Sequence, residues 1–314
     1  MGAEPIIILT PQAANVRNAP VAWPISLRAR LADYCALTKP EVNFLIAIAT
    51  FTGFYLGLAP NQSFSWLMAV NTVLGTLLVA SGTGTLNQYI ERHFDAAMRR
   101  TARRPLAAGR MEPSSALWFG VALSAAGVGY LALTANVLAA LLSLLTLVSY
   151  LFVYTPLKRI TPACVLVGAF PGAVPPLIGW AAAVGTLNLE AWKLYAILFL
   201  WQLPHFMAIA WMYREDYDRA GYQVLPGQAE SRDRYVSLQT LLPLIALLPV
   251  SVASTSSGHA GVFYSIAALL LSLGFFYYGA EFVFRRSGAA ARRLLVASIV
   301  YLPVLFTLRM ISGA

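Results

Sequence analysis

The chain has 314 residues, 59% of them hydrophobic and 11% charged, with a formal net charge of +9. A soluble domain carries about a quarter charged residues. This composition therefore excludes an ordinary water-soluble enzyme and leaves lipid as the solvent for most of the surface. The basic excess lies between hydrophobic segments, so membrane topology accounts for it and no nucleic-acid partner is implied.

Residues 1–38 show no signal-peptide plan, because the apolar run Ile6–Thr10 is too short. They are expected to form a cytoplasmic N-terminal segment, partly disordered. Residues 39–314 are expected to form one all-α domain. A spanning helix needs about 20 mostly apolar residues, and nine stretches qualify: 42–58, 65–88, 114–133, 136–154, 162–184, 191–213, 236–256, 260–281 and 291–311. The fold class is thus a polytopic membrane protein with nine transmembrane helices in one bundle. Pro171, Pro175 and Pro176 predict a kink in the fifth span. The spacings Gly53–Gly57 and Gly168–Gly172 permit close helix approach.

Basic residues set the orientation. Arg17, Arg28, Arg30 and Lys39 precede the first span, and Arg92, Arg99, Arg100, Arg103, Arg104 and Arg110 follow the second. Lys158 and Arg159 follow the fourth, Arg214, Arg219, Arg232 and Arg234 the sixth, and Arg285, Arg286, Arg292 and Arg293 the eighth. Of all 22 lysines and arginines, Lys193 and Arg309 alone fall on the other side. This separation predicts a cytoplasmic N-terminus and an external C-terminus. The lack of an Arg/Ser-rich transit segment favours a bacterial inner membrane over a mitochondrial one.

Chemistry concentrates on the basic side. Asn87, Glu91 and Asp95 are spaced i, i+4, i+8 and share one helical stripe. Three oxygen donors in a row suit Mg²⁺, a hard ion commonly held by a few carboxylates plus substrate phosphates. A helix end exposing polar residues to water has the same spacing. Arg99, Arg100, Thr101, Arg103 and Arg104 follow directly, and guanidinium forks match phosphate oxygens. Topology alone explains their sign but not the adjacent acids.

A second acidic cluster, Glu215, Asp216 and Asp218, ends the sixth span on the same side. Two facing acidic motifs could hold a diphosphate through bridging Mg²⁺ ions; an interfacial salt-bridge cluster is the plain alternative. Within the sixth span, His205 sits about eight residues, or ~12 Å of helix rise, from the inner end. An ionisable group at that depth is a functional candidate, as a ring-substrate contact, an iron ligand or a base, against a histidine simply satisfied within the bundle. Tyr154 and Lys158 form an i, i+4 pair where the fourth span exits. Lys158 could reach the same diphosphate, or snorkel from an aromatic belt. Cys35 and Cys164 form neither a CxxC nor a metal-spaced set and read as small apolar fillers.

Together these residues resemble the UbiA-type intramembrane prenyltransferase superfamily over about residues 30–311. The carriers are Asn87, Glu91-Arg92, Asp95-Ala96, Met98, Arg100-Thr101 and Arg104-Pro105-Leu106, then Tyr154-Thr155, Leu157-Lys158-Arg159 and Thr161. Trp201, Pro204-His205-Phe206, Asp216-Tyr217, Ala220-Gly221 and Leu225-Pro226 are similar to the heme-modifying branch. The resemblance implies nine helices around a cavity, capped by the two inner acidic loops. It implies Mg²⁺ as cofactor, held by Asn87, Glu91, Asp95 and Asp216, with diphosphate on Arg100, Arg104 and Lys158. His205 would face a porphyrin, and Tyr154 would lie near an allylic cation. The implied substrates are farnesyl diphosphate and heme B, joined at a vinyl group to give heme O, with heme A synthase or oxidase assembly proteins as candidate contacts. The chain departs from the wider pattern at Glu91, where many relatives carry Asp, at Ala220, where others carry a second acid, and at Met207, where Trp is common. A quinone precursor or chlorophyll-type ring is the alternative acceptor, and a transporter or heme-binding module the alternative class. Transporters place ionisable groups near mid-membrane, whereas the acids here cluster at one end.

Overall fold

The computed structural model describes residues 26–58, 62–253 and 259–312. Among them every regular element is helical. The elements are α1 (Leu27–Leu37), α2 (Pro40–Gly57), α3 (Trp66–Ala97), α4 (Pro113–Thr134), α5 (Val137–Leu157), α6 (Cys164–Gly172), α7 (Pro175–Val184), α8 (Leu189–Met212), α9 (Arg214–Arg219), α10 (Ala229–Val252), α11 (His259–Arg285) and α12 (Gly288–Ser312). Local chemistry sets several starts. Ser26, Ser65, Asn136 and Asn188 accept from backbone N–H groups three residues on, capping α1, α3, α5 and α8. Proline opens α2, α4 and α7, where a missing N–H costs nothing.

Each expected span has a helical counterpart, but the count of nine needs correcting. Among the described residues eight helices, counting α6 and α7 as one crossing, are long and apolar enough to cross a bilayer. The expected span outside that set is α2, whose first turns carry Glu41 and Asn43 within only 18 residues. It nonetheless packs inside the bundle, against α3 and α7. The second expected span ended at 88, yet α3 continues to Ala97. Hydropathy falls at 88, but Glu91 and Asp95 beyond it are buried and partnered, so the helix persists.

Two irregularities shape the bundle. Tyr150–Tyr154 form a π-turn within α5, closed where the Thr155 N–H and hydroxyl both reach the Tyr150 carbonyl. The expected kink is a full break between α6 and α7. Pro175 and Pro176 lack the N–H groups that would have bonded the carbonyls of Pro171 and Gly172. Close approach then follows from glycine. A Cβ at Gly53 would overlap the Pro176 carbonyl, and one at Gly179 would overlap the Thr50 carbonyl, so α2 and α7 touch backbone to backbone. Gly168 and Gly172 instead make room for the Tyr154 ring and the Gln202 amide.

In the packing, α3 lies on α4, α10 on α11 and α11 on α12, while α12 contacts both α2 and α8 and closes the bundle. Phe44, Trp118, Leu145, Phe152 and Leu270 are among many exposed apolar side chains, as lipid contact requires. At one end the two expected outliers meet: Lys193 and Arg309 both bond Glu190, at 2.7 and 3.2 Å. The acidic motifs lie at the other end. The segment expected as a lead-in falls outside the described residues up to position 25; beyond it, α1 docks on this end. Gln88 donates to the Leu37 carbonyl (2.9 Å), and Arg110 grips Asp33 (2.7 Å). Leu37, Leu106 and Ala116 make a small core beneath α1, so the cap contains this helix as well as the two loops. Of the short loop expected over 59–63, residues 59–61 fall outside the described set.

Candidate active site

The α3 stripe forms as its spacing predicts, and it is buried: Asn87 is 1% exposed, Glu91 6% and Asp95 1%. Buried charges require partners, and each oxygen donor has its own cation. Lys39 donates to Asn87 Oδ1 at 2.9 Å, and Lys158 bonds Glu91 Oε1 at 2.6 Å. Arg104 donates from Nη1 to both oxygens of Asp95, at 2.9 and 2.7 Å. The α3–α4 loop delivers that arginine by folding back, with the Thr101 hydroxyl on the Asp95 carbonyl at 2.9 Å.

The second motif joins the first through main chain. The backbone N–H of Arg100 donates to Asp216 Oδ2 (3.2 Å), and Arg219 pairs with Asp216 Oδ1 (2.8 Å). Burial pushes the Asp216 carboxyl up, but these two donors outweigh it and hold the acid below its ordinary range. The Arg100 guanidinium leans on the second motif too, 3.4 Å from the Tyr217 hydroxyl and 5.0 Å from the Tyr213 ring centre.

Lys158 sits at the centre of the site. Besides Glu91, its ammonium lies 4.6 Å from the centre of the Tyr154 ring, which the π-turn carries, and 5.9 Å from that of Tyr222. Burial opposes its charge, yet Tyr154 and Glu91 hold its pKa well above the usual lysine value. Lys39 is the opposite case: burial, then the positive charges of Arg104 and Lys158, bring it down to about 7. Its backbone is left-handed, φ 53°, at the α1–α2 junction.

The structure thus brings Asn87, Glu91, Asp95, Asp216, Tyr154, Arg100, Arg104 and Lys158 to one end. It does not bring His205 there. His205 lies between α8 and α12, stacked on Trp201 at 4.9 Å, with Nδ1 2.7 Å from Ser298 Oγ. Ser298 spends its one proton on the Leu295 carbonyl (2.6 Å) and so accepts from the imidazole. The proton is thereby placed on Nδ1, leaving the Nε2 lone pair as acceptor or ligand.

Sequence reasoning missed Lys39, Arg219 and Thr155, whose hydroxyl faces the Asn87 amide at 3.3 Å. A lysine beside a helix-opening proline and an arginine three residues after Asp216 were the local signals for the first two, and Thr155 stood within the Tyr154-Thr155 motif. Among the described residues no group of three or more His, Cys, Asp or Glu side chains is gathered as a ready-made metal cage. The donors present are nonetheless hard oxygens, suited to Mg²⁺ completed by phosphate oxygens. Five cations, Lys39, Arg100, Arg104, Lys158 and Arg219, stand around three acids, Glu91, Asp95 and Asp216. Such an excess suits a polyanion. A groove of about 700 Å³ between α11 and α12, lined by Phe275, Tyr278, Val296 and Tyr301, includes none of these acids.

Residues 46–302 match the model of the UbiA prenyltransferase family. The protoheme IX farnesyltransferase of Solibacter usitatus is 47% identical over 89% of this chain and 98% of its own length. That of Anaeromyxobacter dehalogenans is 40% identical over 97% of this chain and all of its own. Among solved structures, a digeranylgeranylglyceryl phosphate synthase shares the fold with a TM-score of 0.70 at 16% identity, over 90% of this chain and 98% of its own. A UbiA homologue from Archaeoglobus fulgidus, bound to GPP and Mg²⁺, does so with a TM-score of 0.61 at 16% identity, over 88% and 99%. Family match and relatives both extend over most of the bundle and both acidic motifs, and on this ground the chain belongs to the UbiA prenyltransferase family.

Proposed function

We propose that this prenyltransferase moves a farnesyl group from farnesyl diphosphate to a vinyl group of heme B, with water supplying the hydroxyl, giving heme O and free diphosphate, at the cytoplasmic face of a bacterial inner membrane. The observation that carries this reading is the hydrogen bond from the Arg100 N–H to Asp216, which ties two acidic motifs 116 residues apart into one oxygen-lined, cation-rich site. The acceptor comes from the relatives, 40 to 47% identical in the two compared above, which are named for protoheme IX.

Asn87, Glu91, Asp95 and Asp216 would hold Mg²⁺, which when bound neutralises charge on the leaving diphosphate. Arg104, Lys158 and Arg100 would exchange their present partners for phosphate oxygens. The Tyr154 ring already carries the Lys158 ammonium on its face. Once Lys158 turns to the diphosphate, that face suits the allylic cation. Burial of the stripe limits the water that could quench this cation. His205, with its Nε2 lone pair, is the porphyrin contact, set deeper in the bundle than the acids.

The test is purified protein with heme B, farnesyl diphosphate and Mg²⁺, followed by product mass. Farnesylated, hydroxylated heme with stoichiometric diphosphate release is expected. Product formed only on a quinone precursor or chlorophyll-type ring would replace the acceptor. Heme binding with no diphosphate release would replace the enzyme by a binding module.

A further inference from the structure

Tyr222 belongs to no motif of the resemblance, yet it points into the acid cluster. Gly221, in the left-handed conformation (φ 73°), ends α9, and the Tyr222 N–H returns to the Tyr217 carbonyl at 2.9 Å. The next N–H, of Gln223, bonds the Lys158 carbonyl at 2.6 Å. The Tyr222 ring packs on Phe94 of α3 at 5.5 Å. Two backbone anchors and the ring contacts with Phe94 and Tyr217 therefore hold this phenol between the acid stripe and Lys158. Tyr222 is 5% exposed. Its hydroxyl faces Glu91 but closes no hydrogen bond of good geometry. A phenol keeps its proton at neutral pH and serves as a donor.

A buried donor without a partner costs stability and needs an explanation in terms of use. Glu91 Oε1 receives Lys158 and the Tyr222 hydroxyl bonds neither Glu91 oxygen, so the acceptor that fits is one arriving with substrate. We propose that the Tyr222 hydroxyl is a catalytic residue, donating a hydrogen bond to the departing diphosphate. The bond that breaks joins farnesyl C1 to a diphosphate oxygen. Its electron pair stays on that oxygen, and Tyr222 keeps its proton while bonding the new charge. This rests on the transfer reading above.

The experiment uses the full chain in detergent and Tyr222→Phe, which removes only the oxygen. Hydrogen bonds to charged groups contribute about 1.5–3 kcal/mol, so kcat for diphosphate release should fall about 10- to 100-fold, with KM for farnesyl diphosphate little changed. The apparent Tm without ligand should stay level or rise, because an unpartnered buried hydroxyl is gone. Thermal stabilisation by Mg²⁺ plus inorganic diphosphate should be weaker than in the wild type. Wild-type kcat, or equal stabilisation by Mg²⁺-diphosphate, overturns the proposal. So does a large fall in Tm, which marks a packing role. Recovery of kcat at high Mg²⁺ also overturns it, since the phenol would then act through Glu91. If wild-type protein fails to farnesylate heme, the acceptor assignment falls alone, because stabilisation by Mg²⁺-diphosphate is read without an acceptor.

Discussion

Replacing Lys158 by methionine keeps most of the side-chain volume and removes the charge at the centre of the site. The Lys158 side chain is 12% exposed and that of Glu91 is 7%, with 2.6 Å between them. Water screens such a pair weakly. Breaking a buried pair by removing one partner costs about 3–5 kcal/mol, because the other charge is left uncompensated. Lys39, whose charge also acts on Glu91, takes up part of the loss, so the lower end applies. At about 2–4 °C per kcal/mol for a domain of 150–250 residues, a cost near ~3 kcal/mol predicts an apparent Tm lower by about 6–12 °C. Glu91→Gln should cost a similar amount by stranding the ammonium. The double variant, Lys158→Met with Glu91→Gln, should recover stability, with a coupling of roughly 2 kcal/mol or more. Thermal unfolding of the four proteins in one detergent closes the cycle. Strictly additive losses would refute the view that this pair is desolvated and mutually dependent.

Glu91→Gln and Asp95→Asn should each abolish farnesyl transfer while the protein still purifies as a folded species; near-normal turnover in both would refute their place in the site. Gly53→Ala should lower yield and Tm, because the new Cβ overlaps the Pro176 carbonyl and overpacking costs about 1–3 kcal/mol; an unchanged melt would show that α2 and α7 separate freely. For Asp216 the folded pKa lies below the unfolded value of 3.8. Its contribution is therefore complete above that value and lost as pH falls through the lower folded pKa. Melting the wild type and Asp216→Asn from pH ~6 to ~3 should show a shallower acid loss in the variant, and parallel curves would count against the pairing with Arg100 and Arg219.

Much of this protein was legible in one dimension. Hydropathy over about 20 residues is a local property, and it placed a helix at every expected span. The i, i+4, i+8 spacing of Asn87, Glu91 and Asp95 is also local, since 3.6 residues per turn put them on one stripe whatever surrounds the helix. Segregation of basic residues brought both acidic motifs to the same end. Three features escaped, the first and last because their partners are distant in sequence. The α3 helix outlasts its apolar stretch because partners from elsewhere bury its polar end. The π-turn at Tyr150–Tyr154 depends on hydrogen bonds no propensity scale contains. Residues 27–37 form a docked cap helix because Asp33 meets Arg110, 77 residues away.

Composition and periodicity alone determined that this chain crosses a membrane repeatedly and gathers acids and arginines on one side. Tertiary structure decided which donor each oxygen ligand receives: Lys39 for Asn87, Lys158 for Glu91, Arg104 for Asp95, and Arg219 with the Arg100 N–H for Asp216. It also kept His205 apart from them and left the Tyr222 hydroxyl facing the cluster without a partner. The physical reason is range. Helix formation and lipid burial are set by neighbours in sequence, whereas a buried charge is satisfied by whatever group the folded chain brings within about 3 Å, at separations of 48, 67 and 116 residues for three of these contacts.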